Sequence, residues 1–255
     1  MLEIKQLVKR FEGVVAVNNV DLKIGKAEIR AVIGPNGSGK TTLINMISGV
    51  LEPTEGQLFF KGEDITGCNA YETTLKGICR TFQNLRIFPS LSVLEHVLLG
   101  MQCRGKANFF DTLFRLPSAR TEEKENVDRA MELLDFVGLA DKAAWEATSL
   151  PYGQRRLLEI ARALATEPSM ILLDEPAAGL HSVEIPHLRE LILKIRDRGQ
   201  TILLVEHKMK LVMSVADKIA VLNYGQKIAD GTPEEVRNDK AVIEAYLGAP
   251  QQSPA

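Results

Sequence analysis

The stretch that most constrains the fold is "GPNGSGKTT", residues 34–42, which follows the apolar run "IRAVI" and precedes the helical pattern "LINMISGV". Glycines in such a loop let the backbone curl so that successive N–H groups point at phosphate oxygens. A lysine at position 40 can then reach the β and γ phosphates, and the Thr41 hydroxyl can coordinate Mg²⁺. The sequence therefore predicts a strand, a phosphate-binding loop and a helix in that order. The predicted phosphate-contacting residues are Gly34, Pro35, Asn36, Gly37, Ser38, Gly39, Lys40, Thr41 and Thr42.

Two acids follow a second apolar run, "MILLDEP", residues 170–176. A buried strand would deliver Asp174 to its carboxyl end, beside the phosphate loop, where its carboxylate can hold the magnesium shell. Glu175 would then lie next to the γ-phosphate and could polarise an attacking water. His207 ends a third such run, "TILLVEH", and is predicted at the same sheet edge.

The remaining patterns predict an α/β fold with a mostly parallel core sheet. Alternating stretches near the N-terminus predict a small antiparallel sheet with turns at Glu12-Gly13 and at residues 61–63. Short apolar runs separated by helical patterns predict buried parallel strands. Between residues 88 and 147 apolar residues recur three and four apart, which predicts a helical insertion with a helix stop at Gly138. The stretch after Cys103, through Pro117 and the following charge run, is predicted to be irregular or short-helical.

Composition excludes some classes of function. The 31 basic and 33 acidic residues nearly cancel, so no basic field favours sequence-independent binding of nucleic acid. The charged N-terminus and the lack of a run of about 18 apolar residues predict a cytoplasmic chain. The cysteines are odd in number without metal-ligand spacing, which predicts structural thiols. They are Cys68, Cys79 and Cys103, and the histidines predicted at the surface are His96, His181 and His187.

The order of these motifs resembles the ATP-binding subunit of ABC transporters over almost the full length. The resemblance implies that Phe11 stacks on adenine with Val17 as a second wall, although an ordinary exposed hairpin residue remains the alternative for Phe11. Gln83 in "RTFQ" matches the glutamine loop, which touches Mg²⁺ and water and senses the membrane subunit. "AAGLH", residues 177–181, matches the D-loop, and His207 matches the switch histidine that contacts the γ-phosphate.

A fifth motif, "LPYGQ", matches the family signature LSGGQ through Leu150, Gly153 and Gln154. Pro151 stands where the family has serine. Proline is tolerated in the first turn of a helix, where its missing N–H has no partner in any case, so Pro151 can open the helix "YGQRRLLEIARAL". The hydroxyl and N–H that serine offers to a γ-phosphate are lost, whereas the N–H groups of Gly153 and Gln154 remain.

The closest resemblance within the family is to the longer of the two ATPases of branched-chain amino acid importers. It implies an ABC-type P-loop fold over residues 1–248, with a β subdomain and RecA-like core in 1–87 and 161–248, a helical subdomain at about 88–160, and a flexible tail at 249–255. It also implies ATP and Mg²⁺ as cofactors, and it places the chain peripherally on the inner face of the membrane.

The implied partners are a second ATPase, either a copy or a different chain, two integral-membrane permeases, and indirectly a periplasmic or lipoprotein solute-binding protein. No nucleic acid is expected. The alternatives are an ATPase for another solute such as urea or short amides, a soluble ABC ATPase outside transport, and a nucleotide switch that barely hydrolyses ATP.

Overall fold

The computed structural model describes residues 1–81, 87–102 and 117–247. Within these ranges ten strands form a four-stranded and a six-stranded sheet. The strands are β1 Leu2–Phe11, β2 Val14–Ile24, β3 Ile29–Ile33, β4 Glu55–Phe60, β5 Glu63–Asp64, β6 Ile78–Arg80, β7 Met170–Asp174, β8 Thr201–Val205, β9 Lys218–Asn223 and β10 Gln226–Gly231. The α-helices are α1 Lys40–Ile47, α2 Ala70–Lys76, α3 Val93–Met101, α4 Pro117–Phe136, α5 Tyr152–Leu164, α6 Ile185–Asp197, α7 Met209–Val215, α8 Pro233–Asn238 and α9 Lys240–Leu247.

The smaller sheet is antiparallel throughout, in the order β2-β1-β4-β5. Its β1–β2 connection is the predicted Glu12-Gly13 turn. In the two-residue turn between β4 and β5, Lys61 and Gly62 both have positive φ, 53° and 87°. Positive φ at both positions is typical of hairpin turns whose twist matches that of the flanking strands. The predicted N-terminal antiparallel sheet is confirmed.

The larger sheet has the order β10-β9-β3-β8-β7-β6, and all its neighbours are parallel except β10 and β9. Strands β3, β7 and β8 are buried at every residue, which explains their continuous apolar sequences. Val205 of β8 is level with Val32 of β3 and with Asp174 of β7. The carboxyl ends of these three strands therefore lie at the same edge of the sheet.

Successive residues of the core strands face opposite sides of the sheet and enter different hydrophobic clusters. Ile171 and Leu173 pack with helices of the inserted segment, whereas Met170 and Leu172 pack with α1 and the antiparallel sheet. The core sheet is thus covered on both faces, and its edge remains available for loops.

Helix α4 ends at Phe136, and Gly138 terminates it as predicted. Leu139 donates its N–H to the Leu134 carbonyl (2.7 Å), Gly138 donates to Asp135 (2.9 Å), and Gly138 has φ of 75°. This pair of bonds with a left-handed residue satisfies the last carbonyls of the helix.

The prediction for the stretch before α4 is wrong from Pro117 onward. The charge run belongs to one helix that begins at Pro117, because proline fits a first helical turn. Residues 103–116, including Cys103, and the predicted tail lie outside the described residues. Cys68 and Cys79 are free thiols. No helix in the described ranges is long and apolar enough to cross a bilayer.

His96 was predicted at the surface, and this is wrong. It is fully buried, its Nε2 accepts the Phe88 N–H (3.0 Å), and its Nδ1 lies 2.9 Å from the Ser92 carbonyl. Burial lowers the pKa of His96, and the Arg162 charge acts in the same direction, while the hydrogen bond to Ser92 opposes it. His96 is therefore held neutral, with Nδ1 as donor and Nε2 as acceptor.

The burial of His96 predicts a pH-dependent stability. Because its folded pKa lies below the value of about 6.5 for an unfolded histidine, the folded state binds fewer protons, and the free energy of unfolding falls as pH drops through 6.5 and below. Urea denaturation between pH 5 and 8 should show this slope in the wild type and a flatter one in His96→Gln. Exposed His187 supplies the control, since His187→Gln should keep the wild-type slope. An unchanged slope in His96→Gln would contradict the assignment.

Candidate active site

The phosphate loop connects β3 to α1 at the edge where the core strands end. Gly39 caps the helix in a left-handed conformation, with φ of 102°. A side chain there would also collide, because an added Cβ would lie 2.4 Å from the Ala16 carbonyl of β2. Glycine at position 39 is thus required both by backbone conformation and by the packing of β2 on the loop. Asn36, Gly37 and Thr41 are exposed, and Gly34 and Ser38 are buried.

Lys40 folds back over the loop. Its Nζ donates to the carbonyls of Gly34 (2.8 Å) and Pro35 (2.9 Å), and the side chain is largely buried. Burial lowers the pKa of Lys40, while the charges of Glu175 and Asp174 oppose that shift. A buried ammonium whose nearest acceptors are neutral carbonyls would gain strongly from an anionic oxygen.

Asp174 and Glu175 lie at the end of β7, as the sequence predicts. Asp174 is almost fully buried and accepts a hydrogen bond from Nη2 of Arg80 (2.8 Å). Glu175 has a left-handed backbone, φ 47°, and donates its N–H to Val205 of β8 (2.8 Å). Such a conformation is uncommon for a residue with a side chain and is held here by the neighbouring strand. It turns the chain out of the sheet and leaves the carboxylate partly exposed, beside Lys40.

His207 lies on the other side of the acids. Its Nδ1 is 4.0 Å from Oε1 of Glu175 and 3.5 Å from Oε1 of Glu206, and its ring is more than half exposed. The adjacent Glu206 is fully buried and accepts N–H groups from Ala177 (3.0 Å), His207 (2.9 Å) and Lys208 (3.0 Å). One carboxylate therefore joins the backbone at His207 to the backbone at Ala177.

Sequence reasoning missed Glu206. The signal available to it was an acid directly after the apolar strand β8, at a position where a buried carboxylate must be compensated by hydrogen bonds. Lys208 adds to the same connection because its Nζ donates to the carbonyls of Ala177 (2.7 Å) and Leu180 (3.3 Å).

The predicted adenine contacts differ in exposure. Phe11 is 43% exposed at the end of β1, with Nζ of Lys9 5.3 Å from its ring centroid. Val17 is fully buried, and its Cγ2 lies 3.4 Å from the position of an added Cβ on Gly39. The structure thus presents Phe11 to solvent and places Val17 behind the phosphate loop, where it supports the loop backbone.

The signature segment begins α5. Leu150 is buried, and Pro151 is the N-cap residue, one position before the helix proper. Its carbonyl accepts the Arg155 N–H (3.0 Å), so the proline costs the helix no backbone bond. Gln154 accepts a hydrogen bond from Nζ of Lys142 (3.1 Å). The proline is thus compatible with the helix start, as expected, although it stands just outside the first turn.

Gly153 lies beneath a carboxylate of the same chain. An added Cβ would fall 1.9 Å from Oε1 of Glu184, and the other oxygen of Glu184 accepts the His181 N–H (2.8 Å). A negative charge is favourable at a helix N-terminus. Glu184, a residue that sequence reasoning did not single out, therefore places a carboxylate beside the start of α5.

The oxygen donors available for a metal are few. Among the described residues, no group of three or more His, Cys, Asp and Glu side chains could hold an ion. The Thr41 hydroxyl and the Asp174 carboxylate are oxygen ligands of the kind that Mg²⁺ uses together with nucleotide phosphates and water. Gln83, the third predicted ligand and a predicted catalytic residue, lies outside the described residues.

Comparisons with known proteins show the family to which this chain belongs. The family model "ABC transporter" matches residues 17–178. A solved ATP-binding cassette of an ABC transporter in its ADP conformation is similar to this chain, with a TM-score of 0.85 and 36% identity over 98% of this chain and 99% of that one. A dimeric bacterial ABC transporter cassette is similar with a TM-score of 0.77 and 27% identity, over 91% and 99% of the two chains. The chain therefore belongs to the ABC transporter family and is an ABC-type ATPase.

Within the ABC transporter family, the chain is similar to ATP-binding proteins of branched-chain amino acid transport. The model "Branched-chain amino acid ATP-binding cassette transporter" matches residues 226–251. The branched-chain amino acid transport ATP-binding protein BraF of Pseudomonas aeruginosa is 44% identical over 97% of this chain and 98% of its own length. LivG of Escherichia coli K12 is 43% identical with the same coverage. The resemblance inferred from the motifs is confirmed.

Proposed function

We propose that the chain is the ATP-hydrolysing subunit of an importer for branched-chain or related hydrophobic amino acids. The observation that carries the proposal is the convergence of the phosphate loop, Asp174, Glu175 and His207 at one edge of the core sheet. The solute is inferred from the near full-length similarity to BraF and LivG, since an ATPase site by itself does not identify a transported molecule.

The position of each side chain supports a role in the binding or hydrolysis of ATP. The N–H groups of the loop and Lys40 hold the phosphates, and Phe11 offers a face for the adenine ring. Glu175 accepts a proton from the attacking water, and His207, whose Nδ1 lies 4.0 Å from Oε1 of Glu175, contacts the γ-phosphate. Thr41, Asp174 and Gln83 would hold Mg²⁺, which neutralises charge that develops on the phosphates.

The signature helix is exposed at Pro151 and Tyr152, so it can meet a second subunit. We infer that it completes an ATP site on the partner, whereas Lys40 and Glu175 serve the ATP bound to this chain. Because the Glu184 carboxylate lies next to Gly153, closure of such a pair would bring the partner's phosphate close to that carboxylate. With a different chain as partner, Pro151 would weaken only the partner's site; in a homodimer it would weaken both.

This assignment predicts that Pro151→Ser strengthens ATP-dependent dimerisation. The serine hydroxyl and N–H restore a charge-assisted contact worth about 1.5–3 kcal/mol, so the dimer dissociation constant should fall by about tenfold or more. Sedimentation with ATP on a Glu175→Gln background measures it. Pro151→Ala is the matched control, because it restores the N–H alone and should give a smaller effect. Equal dimerisation in all three would show that the proline is a neutral helix start.

A groove beside the site suits the membrane partners. A cavity of about 230 Å³ opens between α1, α2, β6, α3 and α5. Apolar side chains at its rim are exposed, among them Val50 and Leu99. Exposed apolar surface of this kind suits a protein partner. We propose that permease segments dock here, which places the subunit on the inner face of the membrane and connects it indirectly to a solute-binding protein outside.

Transport itself tests the proposal. The chain is purified from solubilised membranes of its native host by an affinity tag to identify membrane proteins that co-purify with it. Right-side-out vesicles loaded with ATP are assayed for uptake of labelled leucine. Leucine uptake that is lost in the Glu175→Gln strain supports the proposal. Uptake of labelled urea or acetamide instead would reassign the solute. ATPase activity that DNA or ribosomes stimulate, with no membrane partner, would favour the soluble class.

A further inference from the structure

Arg80 is a largely buried cation at the start of the stretch "RTFQ", and the sequence patterns assign it no role. It is the last residue of β6, where its neighbour Thr81 donates its N–H to Leu172 of β7 (3.0 Å). Its side chain is 10% exposed, and Nη2 lies 2.8 Å from Oδ2 of Asp174, whose side chain is 3% exposed. A charge-assisted hydrogen bond between two groups so well shielded from water is strong and geometrically specific.

The same guanidinium reaches the helix that follows the phosphate loop. Nη1 of Arg80 donates to Oδ1 of Asn45 (2.6 Å), in α1, and lies 3.3 Å from Oγ of Ser48. Because the guanidinium is planar and rigid, its two nitrogens fix Asp174 relative to α1. Arg80 also lines the cavity proposed for the membrane partners. One side chain therefore connects that groove, the helix behind the phosphates and the acid predicted to hold the metal.

Asp174 needs this cation. A carboxylate buried to this extent is costly unless an opposite charge compensates it. Lys40 also acts on Asp174 through its charge, but its Nζ is hydrogen-bonded to loop carbonyls. Arg80 makes the direct contact with one oxygen, Oδ2.

We propose that Arg80 is a positioning residue that acts as the counter-ion of Asp174 and competes with the magnesium of the bound nucleotide for its charge. The inference rests on the proposed nucleotide function. Without Arg80, nucleotide-associated Mg²⁺ becomes the main compensation for Asp174, so that the metal contributes more to nucleotide affinity than it does in the wild type. Thermodynamic linkage requires this direction, because Arg80 and the metal stabilise the same charge.

The test compares the affinity of the full chain for adenylyl imidodiphosphate, which is not hydrolysed, with and without Mg²⁺ by calorimetry. The readout is the ratio of the dissociation constant in EDTA to that in MgCl₂. In Arg80→Met this ratio should exceed the wild-type ratio by about fivefold, an effect of the size expected for loss of one close charge. An equal or smaller ratio would overturn the inference.

Two further variants separate this role from a purely structural one. The Arg30 side chain is more deeply buried, at 4% exposure, and pairs with Glu28 and Asp230 near the amino end of β3. Arg30→Met should therefore destabilise the fold but keep the wild-type ratio. Asn45→Ala leaves the Arg80 charge in place but removes one of its hydrogen-bond acceptors, so the ratio of dissociation constants should rise less than in Arg80→Met. If Arg80→Met does not fold, an unchanged ratio in Asn45→Ala overturns the inference. Failure of the wild-type chain to bind the analogue would overturn the nucleotide assignment itself.

Discussion

Replacing Glu175 with glutamine is expected to stop ATP turnover while ATP remains bound. The amide keeps the size and the left-handed backbone position of Glu175 but cannot accept a proton from water. A general base contributes about 10²–10⁴-fold, so phosphate release should fall by at least two orders of magnitude. Because the phosphate loop is untouched, ATP affinity should stay near the wild-type value. Unhydrolysed ATP should then hold two subunits together as a dimer.

Three measurements check this outcome: phosphate release, ATP binding by calorimetry, and sedimentation with and without ATP. Glu132→Gln is a matched control, since Glu132 is an exposed carboxylate of α4 and should leave all three unchanged. Undiminished hydrolysis in Glu175→Gln would show that Glu175 is not the base. Lost ATP binding would show instead that its carboxylate supports the phosphate loop through Lys40.

Replacing Lys40 with alanine is expected to remove most of the nucleotide affinity. The side chain is buried, and its Nζ lies over the loop that should hold the phosphates. A charge-assisted contact to a phosphate is worth about 1.5–3 kcal/mol. Its loss should therefore raise the dissociation constant for ATP by about 10- to 150-fold. Calorimetry with ATP should show this loss.

The same variant separates binding from stability. The unfolding midpoint of the chain without nucleotide should change little, because Lys40 bonds only to carbonyls and a hydroxyl of its own loop among the described residues. The stabilisation that ATP confers on the wild type should disappear. Lys26→Ala, at an exposed turn after β2, is the control and should retain that stabilisation. Unchanged ATP affinity in Lys40→Ala would contradict the phosphate-loop assignment.

Sequence patterns determined much of this protein because they report local geometry. The alternation in β1 and β2 encodes which residues face the core, and the continuous apolar runs of β3, β7 and β8 encode burial on both faces. Gly138 and the glycines of the phosphate loop encode backbone conformations that other residues adopt at a cost. The placement of Asp174 and Glu175 follows from the same reasoning, since parallel strands end at a common edge.

Only the tertiary structure decided the contacts between distant parts of the chain. Arg80 meets Asp174 across 94 positions of sequence because β6 lies next to β7. Buried Glu206 joins the backbone at His207 to the backbone at Ala177, and His96 lies inside the molecule although its sequence context indicates no burial. Local patterns specify periodicity and backbone conformation over about ten residues, whereas the order of strands in a sheet specifies which of those segments become neighbours. The sequence alone therefore predicted the phosphate loop, Asp174, Glu175 and His207, and the strand order determined which charged groups lie beside them.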